Sequence, residues 1–181
     1  MSDFEYVVAF YALLLGLAVA NVAVGFADMW RERERRPIGW CPPLLAAIVL
    51  LAAMNVWLST WLTHKAVQVD AWQMIAALGI CLPYVFVSRA MTPPEGEKIG
   101  LEEHYLKSRM PILLALALPP LVAAWSKIRL DHFQFGAVEE MWMIARFLLP
   151  VALMFLAGRS AQRIGLAALN VLLVAGLFSW G

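Results

Sequence analysis

Six long apolar stretches alternate with short polar segments along this chain. A helix needs about 20 mostly apolar residues to cross a bilayer core of about 30 Å. The pattern therefore predicts transmembrane helices at residues 5–30, 43–64, 70–90, 110–127, 137–158 and 163–180. The expected fold is an all-α bundle of six transmembrane helices that forms a single domain over residues 1–181.

The composition supports a membrane protein. Apolar residues make up 62% of the chain and charged residues 15%, whereas a soluble domain is closer to about half apolar and about a quarter charged. The formal net charge of +1 provides no positive field for nucleic acid. We therefore expect the lipid bilayer as the surroundings of the chain and no nucleic-acid partner.

The basic residues predict the orientation of the helices. Most of them follow the first, third and fifth stretches: Arg31, Arg33, Arg35, Arg36, Arg89, Lys98, Lys107, Arg109, Arg159 and Arg163. Basic loops stay in the cytoplasm, so we expect both termini outside a bacterial inner membrane. The segment "GLEEHYLKSR" mixes apolar and charged residues and predicts a short cytoplasmic interfacial helix near residues 100–108.

A permanent cation, Arg146, lies near the middle of the fifth stretch. A central arginine costs about 2.5–3.5 kcal/mol to insert. Pro119 and Pro120 lie near the centre of the fourth stretch, and Pro150 lies one turn after Arg146. Because proline removes a backbone donor and clashes with the preceding turn, we expect breaks in helices four and five at similar depth.

Two interpretations of Arg146 follow from this setting. In the first, it faces a cavity beside the broken helices and binds an anion, a carboxylate substrate or a lipid headgroup, as interrupted helices do in transporters. In the second, it is a structural hub that bonds the freed carbonyls, a carboxylate or the amide of Asn21. The carboxylates in question are Glu5, Glu139 and Glu140.

Other polar residues within the apolar stretches are candidates for a substrate or ion pathway: Asn21, Asn55, Ser59 and Asn170. Asparagines at such positions also join helices by hydrogen bonds, at about 0.6 kcal/mol each. Three residues near helix ends are candidates for functional contacts: Glu5, Asp28 and His104. Their structural alternatives are a helix N-terminal carboxylate, an ion pair with Arg31 and a docking contact, respectively.

The sequence shows no residue set for catalysis or metal binding. Cys41 and Cys81 lack the spacing of a zinc site. His64 and His132 are predicted at the outer side and His104 at the inner side, so the three histidines do not converge on a metal. We therefore expect no cofactor, no metal and no catalytic residues, and an enzyme ranks third among the hypotheses.

The leading hypothesis is a small transporter or channel with a polar site around Arg146, Asn21 and Asn55. The alternative is a non-transporting protein, such as a membrane-complex subunit, an assembly factor or a lipid-binding protein. Gly16 and Ala20 form a small-residue face on helix one. Because small residues let helices approach closely, a homo-oligomer or a membrane-complex partner is a further expectation.

Four short segments spread over most of the chain form a recognisable set: "FEY" at 4–6, "WCPPLL" at 40–45, "NVWLSTWLTH" at 55–64 and "LEEHY" at 101–105. Together they resemble an uncharacterised group of small bacterial inner-membrane proteins. Cys41 departs from the Trp-Pro-x-Leu-Leu pattern of that group because it separates Trp40 from Pro42. The resemblance implies a fold of six transmembrane helices and brings no activity with it.

Overall fold

The structure, a computed structural model, describes residues 3–34, 37–62, 70–94, 99–129 and 138–178. Within those ranges the chain forms six α-helices and no strand. The helices are α1 (Asp3–Glu32), α2 (Cys41–Leu62), α3 (Ala71–Ala90), α4 (Leu101–Arg129), α5 (Val138–Phe155) and α6 (Arg159–Phe178). The prediction of an all-α chain is confirmed, and each of the six stretches corresponds to one helix.

Five of the helices in the described ranges, α1 to α4 and α6, are long and apolar enough to cross a membrane. The chain therefore has the helices of a multi-pass membrane protein. The exception is α5, whose 18 described residues include Glu139, Glu140 and Arg146. Large apolar side chains such as Leu13, Phe155 and Ile164 lie exposed on the outside of the bundle, where a lipid environment accepts them.

Helix α2 occupies the centre of the bundle, where it packs against α1, α3, α4 and α6. Its buried side includes Leu45, Ile48, Val49 and Ala52, none of which is more than 1% exposed. Around it, α3 packs on α1 and α4, while α5 lies between α4 and α6. The shared apolar core draws residues from all six helices, and Leu153 near the end of α5 is the buried residue of that helix in it.

The structure does not confirm the predicted proline breaks. Helix α4 runs continuously through Pro119 and Pro120, and α5 runs continuously through Pro150. A proline removes one backbone donor at its own position, but the other hydrogen bonds of the ladder remain, and both helices are held by neighbours on two sides.

The predicted interfacial helix near residues 100–108 is not a separate element. These residues form the first turns of α4, which continues through Pro111. Leu101, Tyr105 and Ile112 are all buried and lie on one side of the helix, at spacings of four and seven residues. Burial of this shared face explains why the segment continues into α4 instead of lying on the membrane surface.

The two ends of the bundle differ. At the inner end, where α1 leads to α2, α3 to α4 and α5 to α6, Gly100 lies against Pro37 and the carboxylate of Glu102 lies against Gly39. Gly39 has a φ of 71°, which glycine adopts without steric cost. At the outer end, Lys127 of α4 meets the start of α5. The names inner and outer follow the predicted orientation, which stays a prediction.

A buried polar cluster joins three helices at the inner end. Gln162 of α6 is completely buried, and its amide donates to the carbonyls of Leu153 (2.7 Å) and Leu156 (2.5 Å). Tyr105 of α4 donates its hydroxyl to Gln162 Oε1 at 2.5 Å. The last carbonyls of a helix lack partners within the helix, so Gln162 satisfies the end of α5 and connects it to α4.

Beside this cluster, Arg163 binds the carboxylate of Glu102 through two hydrogen bonds of 2.7 and 2.8 Å. The thiol of Cys41, at the start of α2, lies 3.5 Å from the same carboxylate. Three helices are therefore joined through Glu102. On α1, Gly16 and Ala20 lie exposed, and the oligomer expected from them stays a prediction.

We expect replacement of Gln162 by leucine to lower the free energy of unfolding by about 1–3 kcal/mol. The leucine would leave the carbonyl oxygens of Leu153 and Leu156 and the hydroxyl of Tyr105 without their hydrogen-bond partner. SDS-induced unfolding of the purified protein in mixed micelles measures the change. Gln73→Leu is the matched control, because Gln73 is only half-buried. Equal stability of the two variants would contradict this role for Gln162.

Candidate functional site

A cavity of about 280 Å³ lies within the outer half of the bundle. Most of its wall is apolar, with contributions from all six helices. Polar residues line its outer part: Ser59, Thr60, Gln73, Ser126, Lys127 and Glu139. Asn55 and Arg146 lie at its deeper part, together with Pro119 and Pro120. The cavity thus connects the centre of α5 with the outer end of the bundle.

A glycine on the neighbouring helix leaves space for the side chain of Arg146. Its guanidinium lies against Gly176 of α6, and a Cβ at position 176 would overlap it. The Nε atom of Arg146 is buried and makes no hydrogen bond within the described ranges. The ion pairs found among those residues do not include Arg146 either. Arg146 is therefore a half-buried cation without a carboxylate beside it in the described structure.

The acidic residues proposed as partners of Arg146 do not pair with it in the described structure. Glu140 of α5 has a side chain only 5% exposed and binds Lys127 Nζ at 2.9 Å. Glu139 binds the same nitrogen at 3.3 Å. Lys127, the other cation that lines the cavity, is therefore compensated by two carboxylates. Glu5 is exposed on α1 and is not part of the cavity wall.

Asn55 is the predicted pathway residue that lies closest to Arg146 in the cavity. Its amide nitrogen donates to the carbonyls of Leu51 (2.9 Å) and Leu173 (3.1 Å). Two acceptors on one side fix the orientation of the amide, so Oδ1 points the other way. That oxygen lies 3.2 Å from where a Cβ of Gly176 would be, on the side that the Arg146 guanidinium occupies.

Two tyrosines that the sequence reasoning missed also line the cavity. Tyr11 of α1 and Tyr84 of α3 are each 8% exposed. Neither hydroxyl takes part in the hydrogen bonds found among the described residues. Tyr84 lies close enough to Arg146 for the two groups to interact electrostatically. Their positions in the sequence could have marked them as candidates. A buried tyrosine far from the membrane surface needs a partner for its hydroxyl.

The remaining pathway candidates have structural partners. Ser59 lines the cavity and donates its hydroxyl to the Val56 carbonyl at 2.9 Å. Asn21 donates to the hydroxyl of Ser88 at 3.3 Å and joins α1 to α3. Asn170 donates to the carbonyls of Leu44 and Leu166 at 3.1 and 2.9 Å. Asn21, Asn170 and Pro150 are not part of the cavity wall.

The candidates near helix ends also lie away from the cavity. Asp28 is exposed and pairs with Arg31 at 3.7 Å, one turn later. His104 Nε2 lies 3.1 Å from the Ala90 carbonyl at the end of α3. His64 and His132 lie outside the described residues. Among the residues that the structure does describe, no three metal-ligating side chains gather.

Comparison with protein-family models, with curated proteins and with solved structures finds no match to this chain. The likeness to the small inner-membrane group therefore stays a prediction. The structure does give physical roles to two residues of its "LEEHY" segment. His104 approaches the end of α3, and Tyr105 bonds Gln162.

The two interpretations of Arg146 predict opposite effects of its replacement by methionine. Because no described carboxylate compensates this half-buried cation, we expect Arg146→Met to be as stable as the wild type or more stable, with a free energy of unfolding higher by up to about 3 kcal/mol. SDS-induced unfolding measures the difference.

Arg163→Met is the matched control, since it removes the arginine that pairs with Glu102 at the inner end and leaves that carboxylate without its cation. We expect this control to be less stable than the wild type. A loss of stability in Arg146→Met as large as in Arg163→Met would show that Arg146 is a structural hub.

Proposed function

We propose that this membrane protein binds a small organic anion at Arg146 and carries it across the membrane. One observation supports the proposal above the others. The guanidinium of Arg146 lies in a cavity inside the bundle, and the described structure places no carboxylate against it. A cation that is partly withdrawn from water gains from compensation, and an anion that enters the cavity would provide it.

The surroundings of Arg146 fit a binding site better than a packing contact. An arginine that serves structure is normally paired, as Arg163 is with Glu102. A charged residue within a membrane protein typically marks a pathway or a ligand. Gly176 leaves the space that the guanidinium occupies, so α6 accommodates the cation without neutralising it.

The asymmetry of the bundle favours a carrier over an open channel. The cavity wall extends from Arg146 to residues of the outer end, such as Ser126 and Lys127. None of its lining residues in the described ranges belongs to the inner polar cluster of Tyr105 and Gln162 or to the Arg163–Glu102 pair beside that cluster. Alternating access requires a site that is reached from one side in each state, and a cavity that extends toward the outer end fits this arrangement. In the predicted orientation, the cavity faces the outside of a bacterial inner membrane.

Thiol labelling tests whether water reaches Arg146 from the outer end. In a background of Cys41→Ser and Cys81→Ala, we expect Arg146→Cys to react with a charged, membrane-impermeant thiol reagent applied to the outer face of oriented vesicles. Ser88→Cys is the control, because Ser88 is 1% exposed and does not line the cavity. It should stay unlabelled.

The membrane face from which Arg146→Cys is labelled distinguishes the candidate functions. Labelling of Arg146→Cys from the outer face alone supports a carrier, and labelling from both faces supports a channel. If a folded Arg146→Cys variant reacts from neither face, the cavity is dry and transport is excluded. The alternative of a non-transporting complex subunit or lipid-binding protein would then replace the proposal.

A further inference from the structure

We infer that the anion is a monocarboxylate with a short apolar body, and that Arg146 and the hydroxyl of Tyr84 bind its carboxylate together. This inference rests on the proposed function, since it concerns the ligand of the same cavity. It goes further because it specifies the charge, size and polarity of that ligand. It also assigns a binding role to a tyrosine.

The charges of the cavity limit the ligand to a single negative charge. Two cations of the described ranges line the wall, Lys127 and Arg146. Lys127 already lies 2.9 Å from a carboxylate oxygen of Glu140 and 3.3 Å from one of Glu139. A monoanion would compensate Arg146, whereas a dianion would leave an unpaired negative charge in an apolar interior. Burial of such a charge is strongly unfavourable.

The wall of the cavity favours an organic anion over an inorganic one. Around the polar groups it presents apolar side chains, including Val56, Ile80, Trp142 and Leu173. A sulfate or phosphate ion would lose its hydration here without enough donors to replace it. A hydrocarbon body gains from the same surroundings, because its transfer from water is favourable.

The size of the cavity limits the apolar body. Its volume of about 280 Å³ is near the lower end of the roughly 300–1,000 Å³ found for sites of drug-sized ligands. A short-chain carboxylic acid, branched or linear, fits within such a space. A full lipid would leave most of its chains outside the cavity.

Tyr84 adds the second donor for the carboxylate. Its side chain is 8% exposed, and its hydroxyl makes no hydrogen bond within the described part of the chain. It lies near the Arg146 guanidinium in the same cavity. A carboxylate has two oxygen atoms that accept hydrogen bonds, so one can bond the guanidinium while the other accepts from the phenol.

A matched set of ligands tests the inference on the purified full-length protein. Isovalerate is a five-carbon monocarboxylate, isovaleramide its neutral analogue, methylsuccinate a five-carbon dianion and sulfate an inorganic dianion. We expect isovalerate to bind at least tenfold more tightly than the other three by isothermal titration calorimetry. We expect Arg146→Met to abolish its binding.

Two phenylalanine substitutions test the role of Tyr84. Tyr84→Phe should weaken isovalerate binding about tenfold, because it removes one hydrogen bond to a charged group. Tyr105→Phe is the matched control, since its hydroxyl bonds Gln162 outside the cavity. It should lower stability and leave the affinity for isovalerate unchanged. Equal affinity of Tyr84→Phe and the wild type would overturn the role assigned to Tyr84.

The remaining outcomes separate this inference from the proposed function. If methylsuccinate or sulfate binds as tightly as isovalerate, and Arg146→Met abolishes that binding, the anion site stands and the monocarboxylate class is wrong. If isovaleramide binds as tightly as isovalerate, charge is not recognised and both proposals fail. If the folded wild type binds none of the three anions, both proposals fail as well.

Discussion

The charge of Arg146, which no carboxylate of the described ranges pairs with, is the feature on which the rest of this bundle turns. Within a bilayer, a polar group must find its partner inside the protein. Gln162 and Asn170 meet this requirement through backbone carbonyls, and Arg163 meets it through Glu102. Arg146 instead faces a cavity beside Gly176. This contrast between Arg146 and the other polar residues is the basis of the proposal that Arg146 binds a ligand.

The same requirement explains why the two ends of the bundle differ. At the inner end, Glu102 receives hydrogen bonds from Arg163 and Tyr105 bonds Gln162, so α4, α5 and α6 are tied together. At the outer end, the ion pair of Lys127 with Glu140 joins α4 to α5 beside the cavity. Both ends are therefore joined by polar contacts, and the cavity lies toward the outer one.

Local sequence was a good guide to the helices and a poor guide to their interruptions. Apolar length is a property of each segment alone, so all six helices were predictable. The prolines were misleading, since Pro119, Pro120 and Pro150 lie in helices that neighbours hold on two sides. The site was predicted in part: Arg146 and Asn55 do share the cavity, whereas Asn21 and Asn170 bond helices elsewhere.

The sequence by itself determined that this is an all-α chain with long apolar helices and a cation at the centre of one of them. Hydropathy acts over adjacent residues, and these properties need no information about distant ones. Only the tertiary structure decided that Tyr84 lies near Arg146, that Lys127 takes the carboxylates of α5, and that Gly176 leaves space for the guanidinium. Those residues belong to different helices, and the packing of the helices sets the distances between them.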